Sequence, residues 1–281
     1  MRFYTNVQMV GDNFLVRGYE NGKHFMTREK FYPTLFVPSK RKTKYKTLEG
    51  ESVEPIQPGF VRDCREFYKK YDEVENFKIY GNDRYVYQYI SEKYPEDHIQ
   101  FDIKKIRLIT IDIEVAAESG FPDVENVAEE LLLISLQDYA TKKVTTFGSR
   151  PFANKDPNVT YILCDNEVHL LRSFLAYWRK NLPEVITGWN SQMYDIPYLA
   201  GRINRILGEK SMKDLSPWGL VSQDEVYISG RKNITYDIGG VTQLDYLDLY
   251  KRFTYTNQES YRLDYIANYE LGEKKLDHDE Y

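Results

Sequence analysis

Apolar and polar positions alternate in two different ways along the chain, and the change falls near residue 104. Before it, strand-like runs at residues 14–19 and 24–28 flank an Asn-Gly pair, which is typical of a two-residue β-hairpin turn. Apolar residues at helical spacing begin at Val61, and residues 85–90 predict another strand. We therefore predict a small α+β domain over residues 1–104.

In the second part of the chain, strands come first and then alternate with helices. The runs that predict strands are residues 105–115, 130–137, 143–147, 160–163 and 184–189. Apolar spacing predicts one helix after Asp165 or Asn166, with Val168 on its apolar stripe, and a second helix that stops at Gly208. This order predicts an α/β domain over residues 105–281, with a mixed sheet flanked by helices.

The last part of the chain adds a hairpin and two helices. Strand-like runs at residues 224–228 and 233–236 flank a turn that carries Arg231 and Lys232, so the hairpin should have a basic tip. The two predicted helices are residues 246–253 and 263–271.

Composition narrows the classes of protein. The chain has 281 residues, 29% of them charged, and a net charge of −5. Its N-terminus does not predict a signal peptide, and no run of about 18 apolar residues predicts a membrane span. Two distant cysteines favour a reducing compartment and no cysteine-based metal site. The negative net charge argues against nucleic-acid binding, but residues 40–46 are densely basic. This run is either a solvated loop or a patch that contacts phosphates.

The strand RLITIDIEV, residues 107–115, carries two carboxylates in an apolar setting. Side chains alternate along a strand, so Asp112 and Glu114 should point to one face and Ile111 and Ile113 to the other. Two like charges this close are costly to ionise together in a low-dielectric site. Either this face is exposed to solvent, or a cation holds the pair.

A second acidic position follows the predicted strand that ends at Trp189. Asp195 comes just before a helix whose first turn contains Pro197. The simple interpretation is a carboxylate that interacts with the helix dipole. The alternative is a ligand site, because ligands usually bind where strands run off the edge of an α/β sheet.

These segments resemble the N-terminal part of the family B DNA polymerases, and especially the replicative enzymes of T-even-like bacteriophages. IDIEV resembles their first exonuclease motif and TGWNSQMYDIPYL their second. The segments that follow these motifs in the family resemble three further stretches of this chain: RINRILGEKSMKDLSPWG, LDYLDLYKRFTYTN and YRLDYIANYELGEKK. The resemblance covers essentially the whole chain, and it implies a 3′–5′ proofreading exonuclease of the DEDD type on a ribonuclease-H-like fold.

The resemblance also implies what the acidic residues do. Two divalent metal ions, Mg²⁺ or Mn²⁺, would neutralise the clustered carboxylates. Asp112 would bridge the two ions, Glu114 would hold the one that activates water, and Asp195 would hold the second.

Four further residues are implied to contact the substrate. Asn190 would position the substrate or a water molecule. Phe121 would wedge against the frayed 3′ end, unless it is an ordinary core or loop residue. Arg231 and Lys232 would lie on a hairpin that helps to move the primer strand between sites, unless this hairpin ends in a plain solvated turn.

A fourth carboxylate is also implied, in a Tyr-x-x-x-Asp motif downstream of YELGEKK, and the sequence ends without it. Tyr68 with Asp72, and Tyr161 with Asp165, have the spacing. Both pairs precede the second motif, so we do not assign them to the site. We therefore expect the isolated chain to be weakly active or inactive, with the polymerase portion supplied in cis or in trans.

The expected partners are single-stranded DNA or a primer 3′ end, in the cytoplasm of an infected bacterial host and away from membranes. The alternative is a non-catalytic nucleic-acid-binding or assembly module of a split polymerase. In that case the N-terminal domain, with its basic run at residues 40–46 and its abundant tyrosines, would contact template or RNA. A ribonuclease-H-fold nuclease that acts on RNA is a third possibility.

Overall fold

The computed structural model describes residues 2–75, 77–81, 83–95, 99–117, 120, 122–228 and 230–274. The chain divides into two compact units, Met1–Lys105 and Ile106–Tyr281. In the described part of the chain, no helix combines the length and the apolar surface that a membrane crossing requires.

The described residues of the first unit form six strands and two helices. The strands are β1 (Arg2–Val10), β2 (Asn13–Glu20), β3 (Lys23–Lys30), β4 (Leu35–Pro38), β5 (Tyr45–Lys46) and β6 (Ser52–Ile56), and the helices are α1 (Val61–Tyr71) and α2 (Tyr85–Lys93). The strands form two small sheets, in the orders β1-β2-β3 and β4-β6-β5. All of their pairings are antiparallel.

The predicted hairpin in the first unit is confirmed. It joins β2 to β3, with Glu20 paired to Lys23 across the turn. Asn21 and Gly22 have φ angles of 50° and 78°, which is the left-handed conformation that both central residues of a type I′ turn require. Asn-Gly adopts it at little cost, and its twist matches that of the two strands.

The predicted strand at residues 85–90 is wrong, because this segment lies in α2. Tyr85 and Tyr89 are four residues apart and both are buried. The ring of Tyr89 stacks on Phe14 of β2, with the ring centroids 4.8 Å apart. Aromatic residues favour strands in isolation, but here a helix places two rings on the side that packs against the sheet.

The second unit has eight strands, five α-helices and one short 3-10 helix (Lys213–Leu215) in its described residues. The strands are β7 (Leu108–Val115), β8 (Leu131–Asp138), β9 (Val144–Gly148), β10 (Val159–Leu163), β11 (Val185–Gly188), β12 (Val221–Ile228), β13 (Arg231–Ile238) and β14 (Thr242–Asp245). The helices are α3 (Glu167–Lys180), α4 (Asp195–Leu207), α5 (Glu209–Met212), α6 (Tyr246–Phe253) and α7 (Leu263–Leu271).

Six of these strands form one mixed sheet, in the order β10-β9-β8-β7-β11-β14. β7, β8 and β9 pair antiparallel, whereas β10 joins β9 in parallel and β11 joins both β7 and β14 in parallel. β12 and β13 form a separate antiparallel hairpin. The predicted α/β class with a mixed sheet is confirmed.

Three details of the second unit refine or correct the prediction. Asn166 caps α3, because its side chain accepts a hydrogen bond from the His169 amide at 3.0 Å. Val168 is exposed, so its prediction is wrong, and Leu170 joins the buried stripe of α3, which holds Leu171, Phe174, Leu175 and Trp178. β14 was not predicted, since its sequence TQLD is short and polar.

A buried ion pair fixes α4 against α3. Arg202 and Glu167 are 7% and 8% exposed. The guanidinium donates two hydrogen bonds of 2.6 Å to the two oxygens of Glu167. It also donates to the carbonyls of Val127 and Ala128, and Glu167 accepts from the Leu131 amide. The pair therefore orients α4 relative to the start of β8 as well as to α3.

Replacing Arg202 by Met should destabilise the second unit by about 3 kcal/mol, because it leaves the Glu167 carboxylate buried without its cation. Urea unfolding followed by tryptophan fluorescence measures this unit alone, since Trp178, Trp189 and Trp218 are the three tryptophans and all lie in it. The control is Arg205→Met on the same helix, where the side chain is exposed and donates to one carbonyl. Equal losses in the two variants would contradict the role given to the buried pair.

Candidate active site

Three parallel strands end side by side at one edge of the sheet. β7 pairs with β11 through Leu108, Ile109 and Thr110, and β11 pairs with β14 so that Gly188 lies opposite Asp245. The polar residues that follow each pairing therefore come to the same edge, where α/β sheets usually bind their ligands.

Asp112 and Glu114 are brought to one face of β7, as the alternation predicts. Both are exposed, whereas Ile111 and Ile113 are buried in the core on the other face. β7 lies inside the sheet, between β8 and β11, so the two carboxylates lie on an open face of a central strand. Exposure to water explains how two like charges can stand two residues apart.

Asp195 reaches the same strand from α4. It is the first residue of the helix, it is 5% exposed, and its Oδ1 accepts a hydrogen bond from the Ile113 amide at 3.1 Å. Burial, and after it the charge of Asp112, raises the pKa of the Asp195 carboxyl from 3.8 to about 7. The structure thus brings Asp195 next to Asp112, from a segment more than 80 residues away in sequence.

The donor chemistry of this site fits a hard divalent cation. The side chains are carboxylates, which such ions prefer, and the repulsion between Asp112 and Asp195 is what a cation would relieve. In the residues that the structure describes, no three Asp, Glu, His or Cys side chains already stand together as a ready ligand set. The fit lies in the kind of donor and in the charge.

Asn190 lies in the loop between β11 and α4, directly before the turn that leads to Asp195. Asn190 has a φ angle of 63°, a left-handed conformation that Asn adopts more easily than most residues. Its carbonyl accepts hydrogen bonds from the amides of Met193 and Tyr194, which closes the turn before the helix. Tyr194 packs against Tyr198, with ring centroids 5.9 Å apart, and burial raises its pKa to about 12.

Three of the residues that the resemblance assigns to substrate contact remain to be placed in the structure. Phe121 lies outside the described residues. Arg231 and Lys232 begin β13, next to the turn of the hairpin. The Lys232 ammonium is 2.8 Å from a Glu225 carboxylate oxygen in the facing strand and 3.7 Å from one of Glu125. These contacts tie the hairpin to the loop that precedes β8.

Sequence reasoning missed Asp245, a buried carboxylate at this edge of the sheet. It is 6% exposed and ends β14. It accepts hydrogen bonds from the amides of Asn190, Gln192 and Leu247. The signal was present, because an Asp directly before a helical run is a typical N-cap. Its bonds to the other loop depend on the pairing of β14 with β11, which sequence alone does not reveal.

The two pairs with Tyr-x-x-x-Asp spacing lie away from Asp112 and Asp195. Tyr161 is in β10, the outermost strand on the other side of the sheet and three strands from β7, and its hydroxyl donates to the Arg150 carbonyl. Asp165 is exposed and contacts the His169 ring. Tyr68 and Asp72 belong to the other compact unit.

Comparison with known proteins places these features in a family. The model of the DNA polymerase family B exonuclease domain matches residues 69–266. The chain is 31% identical to the DNA-directed DNA polymerase of Enterobacteria phage T4, over 99% of the chain and 33% of that protein. It is 32% identical to the DNA-directed DNA polymerase of Escherichia phage RB69, over 99% and 34%. The DNA polymerase of Bombyx mori nuclear polyhedrosis virus is 29% identical over 43% of the chain and 12% of that protein. The chain spans about a third of the length of the two phage relatives.

In metal-free protein, Asp195→Asn should stabilise the second unit at pH 8. The folded state keeps Asp195 protonated up to about pH 7, whereas the unfolded chain releases this proton near pH 3.8. The folded state therefore binds more protons between these values, and the stability of the wild type falls as the pH rises through that window. At pH 8 the variant avoids a cost on the order of 4 kcal/mol, while at pH 4 the two proteins should be nearly equally stable.

Urea unfolding in the presence of a chelator, followed by tryptophan fluorescence, measures this difference. Asp112→Asn is a graded control, because it removes only the smaller of the two causes and should stabilise less. If Asp195→Asn is less stable than the wild type at pH 8, the assigned burial and repulsion are wrong.

Proposed function

We propose, because this chain belongs to the family B DNA polymerases through their exonuclease domain, that it carries the 3′–5′ proofreading activity of a phage replicative DNA polymerase. The observation that carries the proposal is the approach of Asp195 to Asp112 at one edge of the sheet. The relatives are phage polymerases, so we place the activity on DNA in the cytoplasm of an infected bacterial host.

The reaction would be hydrolysis of the terminal phosphodiester of a single-stranded or mismatched primer end. Asp112, Glu114 and Asp195 would hold two divalent cations, Mg²⁺ or Mn²⁺, with Asp112 shared between them. When bound, such ions stabilise the attacking and leaving oxygens of an in-line displacement.

The chain's own groups would define how the substrate approaches. Asp112 and Glu114 are exposed, so a strand end can reach them from solvent. Asp195 is buried and fixed to the backbone of β7, so it would set the depth of the site. We assign Asn190 to positioning the substrate, because its loop lies between Asp195 and the end of β11. Phe121, Arg231 and Lys232 keep the substrate roles that the resemblance implies.

We further propose that these 281 residues alone hydrolyse DNA weakly. Three residues of this chain, Asp112, Glu114 and Asp195, match the family pattern, which has four carboxylates. Asp245 is near, but both of its oxygens accept hydrogen bonds from backbone amides. Without one ligand, a two-metal site should bind one ion less firmly and lose rate by roughly a hundredfold or more.

A 5′-labelled single-stranded oligonucleotide tests the activity. With Mg²⁺, the chain should shorten it slowly from the 3′ end, and Asp112→Ala should abolish the reaction. Supplying the polymerase segment that carries Tyr-x-x-x-Asp, in cis or in trans, should raise the rate by about a hundredfold or more. Product ladders on denaturing gels give both the rate and the direction of cleavage.

Asp165→Ala is the matched control for this experiment, since it removes an exposed acidic residue of the same domain that we do not assign to the site. It should leave the rate unchanged. Strong activity from the chain alone, lost in Asp112→Ala, would show that three carboxylates suffice. Failure to cleave even with the added segment would reject the nuclease proposal itself.

A second candidate function, a nucleic-acid-binding module, is favoured by the basic run of the first unit. Its cationic side chains are Lys40, Arg41, Lys42, Lys44 and Lys46, and all five are exposed. The run is held in place at its centre, because the Thr43 hydroxyl lies 2.6 Å from the Val53 carbonyl. The Lys44 ammonium lies over the Tyr45 ring at 4.9 Å. An ordered cationic loop with an exposed ring fits a single strand of DNA or RNA.

This module would bind nucleic acid without metal. In EDTA, affinity for single-stranded DNA or RNA should fall as salt rises, with a logarithmic slope of about 0.7 for each phosphate contact. Neutralising Lys40, Lys42 and Lys44 together should lower both affinity and slope, whereas Asp112→Asn should not weaken binding. Fluorescence anisotropy at several salt concentrations measures both quantities, and an unchanged slope in the triple variant would reject the basic run as the contact.

A further inference from the structure

The carboxylate of Asp245 holds two loops at the same time. Its Oδ1 accepts hydrogen bonds from the Asn190 amide at 3.0 Å and from the Leu247 amide at 2.9 Å. Its Oδ2 accepts from the Gln192 amide at 2.9 Å. One buried side chain therefore caps α6 and also fixes the backbone between β11 and α4.

The register of the sheet explains this reach. Asp245 is the last residue of β14 and lies opposite Gly188, the last residue of β11. The loop after Gly188 passes over the strand ends at close range. A Cβ at Gly188 would lie 2.8 Å from the Ile111 carbonyl and 2.8 Å from the Ser191 side chain. The loop thus has little room to shift towards β7.

The held segment leads directly to the acidic residue on α4. The Asn190 carbonyl accepts from the Met193 and Tyr194 amides, and the helix begins at the next residue, Asp195. Asp195 is in turn bonded to the Ile113 amide. The chain from β11 to α4 is therefore fixed at both ends, by Asp245 at the start and by β7 at the finish.

A carboxylate suits this position better than any neutral side chain. The amides of Asn190 and Gln192, two residues apart, bond to different oxygens, and the Asp245 carboxylate supplies both of them. An Asn side chain would keep one oxygen for the Asn190 and Leu247 amides and would turn an N–H group towards the Gln192 amide. An Ala side chain would leave all three part-buried amides without this acceptor.

We propose that Asp245 is a positioning residue for the exonuclease site, which acts through the loop and does not touch the substrate. It sets the left-handed turn at Asn190 and, through it, the place of Asp195 beside Asp112. The inference rests on the proposed nuclease function. A displacement of the loop by about 1 Å is enough to lower a rate about a hundredfold.

The test compares Asp245→Ala and Asp245→Asn with the wild type and with Asp248→Asn. The control removes an exposed carboxylate from the first turn of the same helix. The first measurement is amide hydrogen exchange by NMR. Asp245→Ala should lose protection about tenfold or more at Asn190 and Gln192. Asp245→Asn should lose it at Gln192 and largely keep it at Asn190, and the control should match the wild type.

The second measurement is steady-state hydrolysis of single-stranded DNA with the polymerase segment supplied. The kcat should fall about a hundredfold in Asp245→Ala and about tenfold in Asp245→Asn, with KM within about twofold of the wild type. The control should keep the wild-type kcat. If Asp245→Ala does not fold, Asp245→Asn carries the same test through its selective loss at Gln192.

The possible outcomes separate this inference from the function on which it rests. Wild-type exchange at residues 190 and 192 in both variants would show that Asp245 does not hold the loop. Faster exchange with an unchanged kcat would show that the held loop does not position the site, and the nuclease proposal would stand. Absence of hydrolysis in the wild type itself would reject the nuclease proposal and, with it, a catalytic meaning for Asp245.

Discussion

The hydrogen bond from the Ile113 amide to the Asp195 carboxylate is the contact on which the acidic site depends. β11 pairs with β7 only through Leu108, Ile109 and Thr110, so β7 needs another acceptor further along. Asp195 supplies this acceptor and so comes to lie beside Asp112. Because the Ile113 amide needs this acceptor, Asp195 is buried beside Asp112. Burial, and after it the repulsion between the two carboxylates, raises the pKa of Asp195.

The helix that carries Asp195 is held firmly enough to maintain this arrangement. Its first residue bonds to β7, and Arg202, about two turns later, bonds to Glu167 and to the carbonyls before β8. Two polar contacts at different heights fix both the rotation and the tilt of α4. The apolar packing around Ile196, Leu199 and Ile203 then fills the space between helix and sheet without having to define it alone.

Sequence patterns were most informative where the structure depends on residues that are close together in the sequence. Alternation in IDIEV placed Asp112 and Glu114 on one face, and Asn-Gly placed the first hairpin. The family and the ribonuclease-H-like class, expected from IDIEV and TGWNSQMYDIPYL, are both confirmed. Local reasoning failed at α2, where tertiary packing of two tyrosines outweighed their preference for strands.

The parts that could not be predicted depend on pairing between distant segments. Asp245 meets Asn190 only because β14 lies beside β11, and nothing in the polar sequence TQLD reveals that partner. The ion pair between Lys232 and Glu125 is likewise set by where the hairpin lies relative to a distant loop. The roles of the carboxylates, of Asn190 and of Phe121 stay predictions.

The order of strands also has a consequence for biosynthesis. β7, β11 and β14 are neighbours in space, but long stretches of chain separate them in sequence. Joining such segments requires the closure of large loops, which is entropically costly and slow compared with forming a helix or a hairpin. On the ribosome, the acidic edge cannot be completed until β14 has left the exit tunnel. A shorter nascent chain would already contain the first carboxylates of the site, but the arrangement of residues around them would not yet have formed.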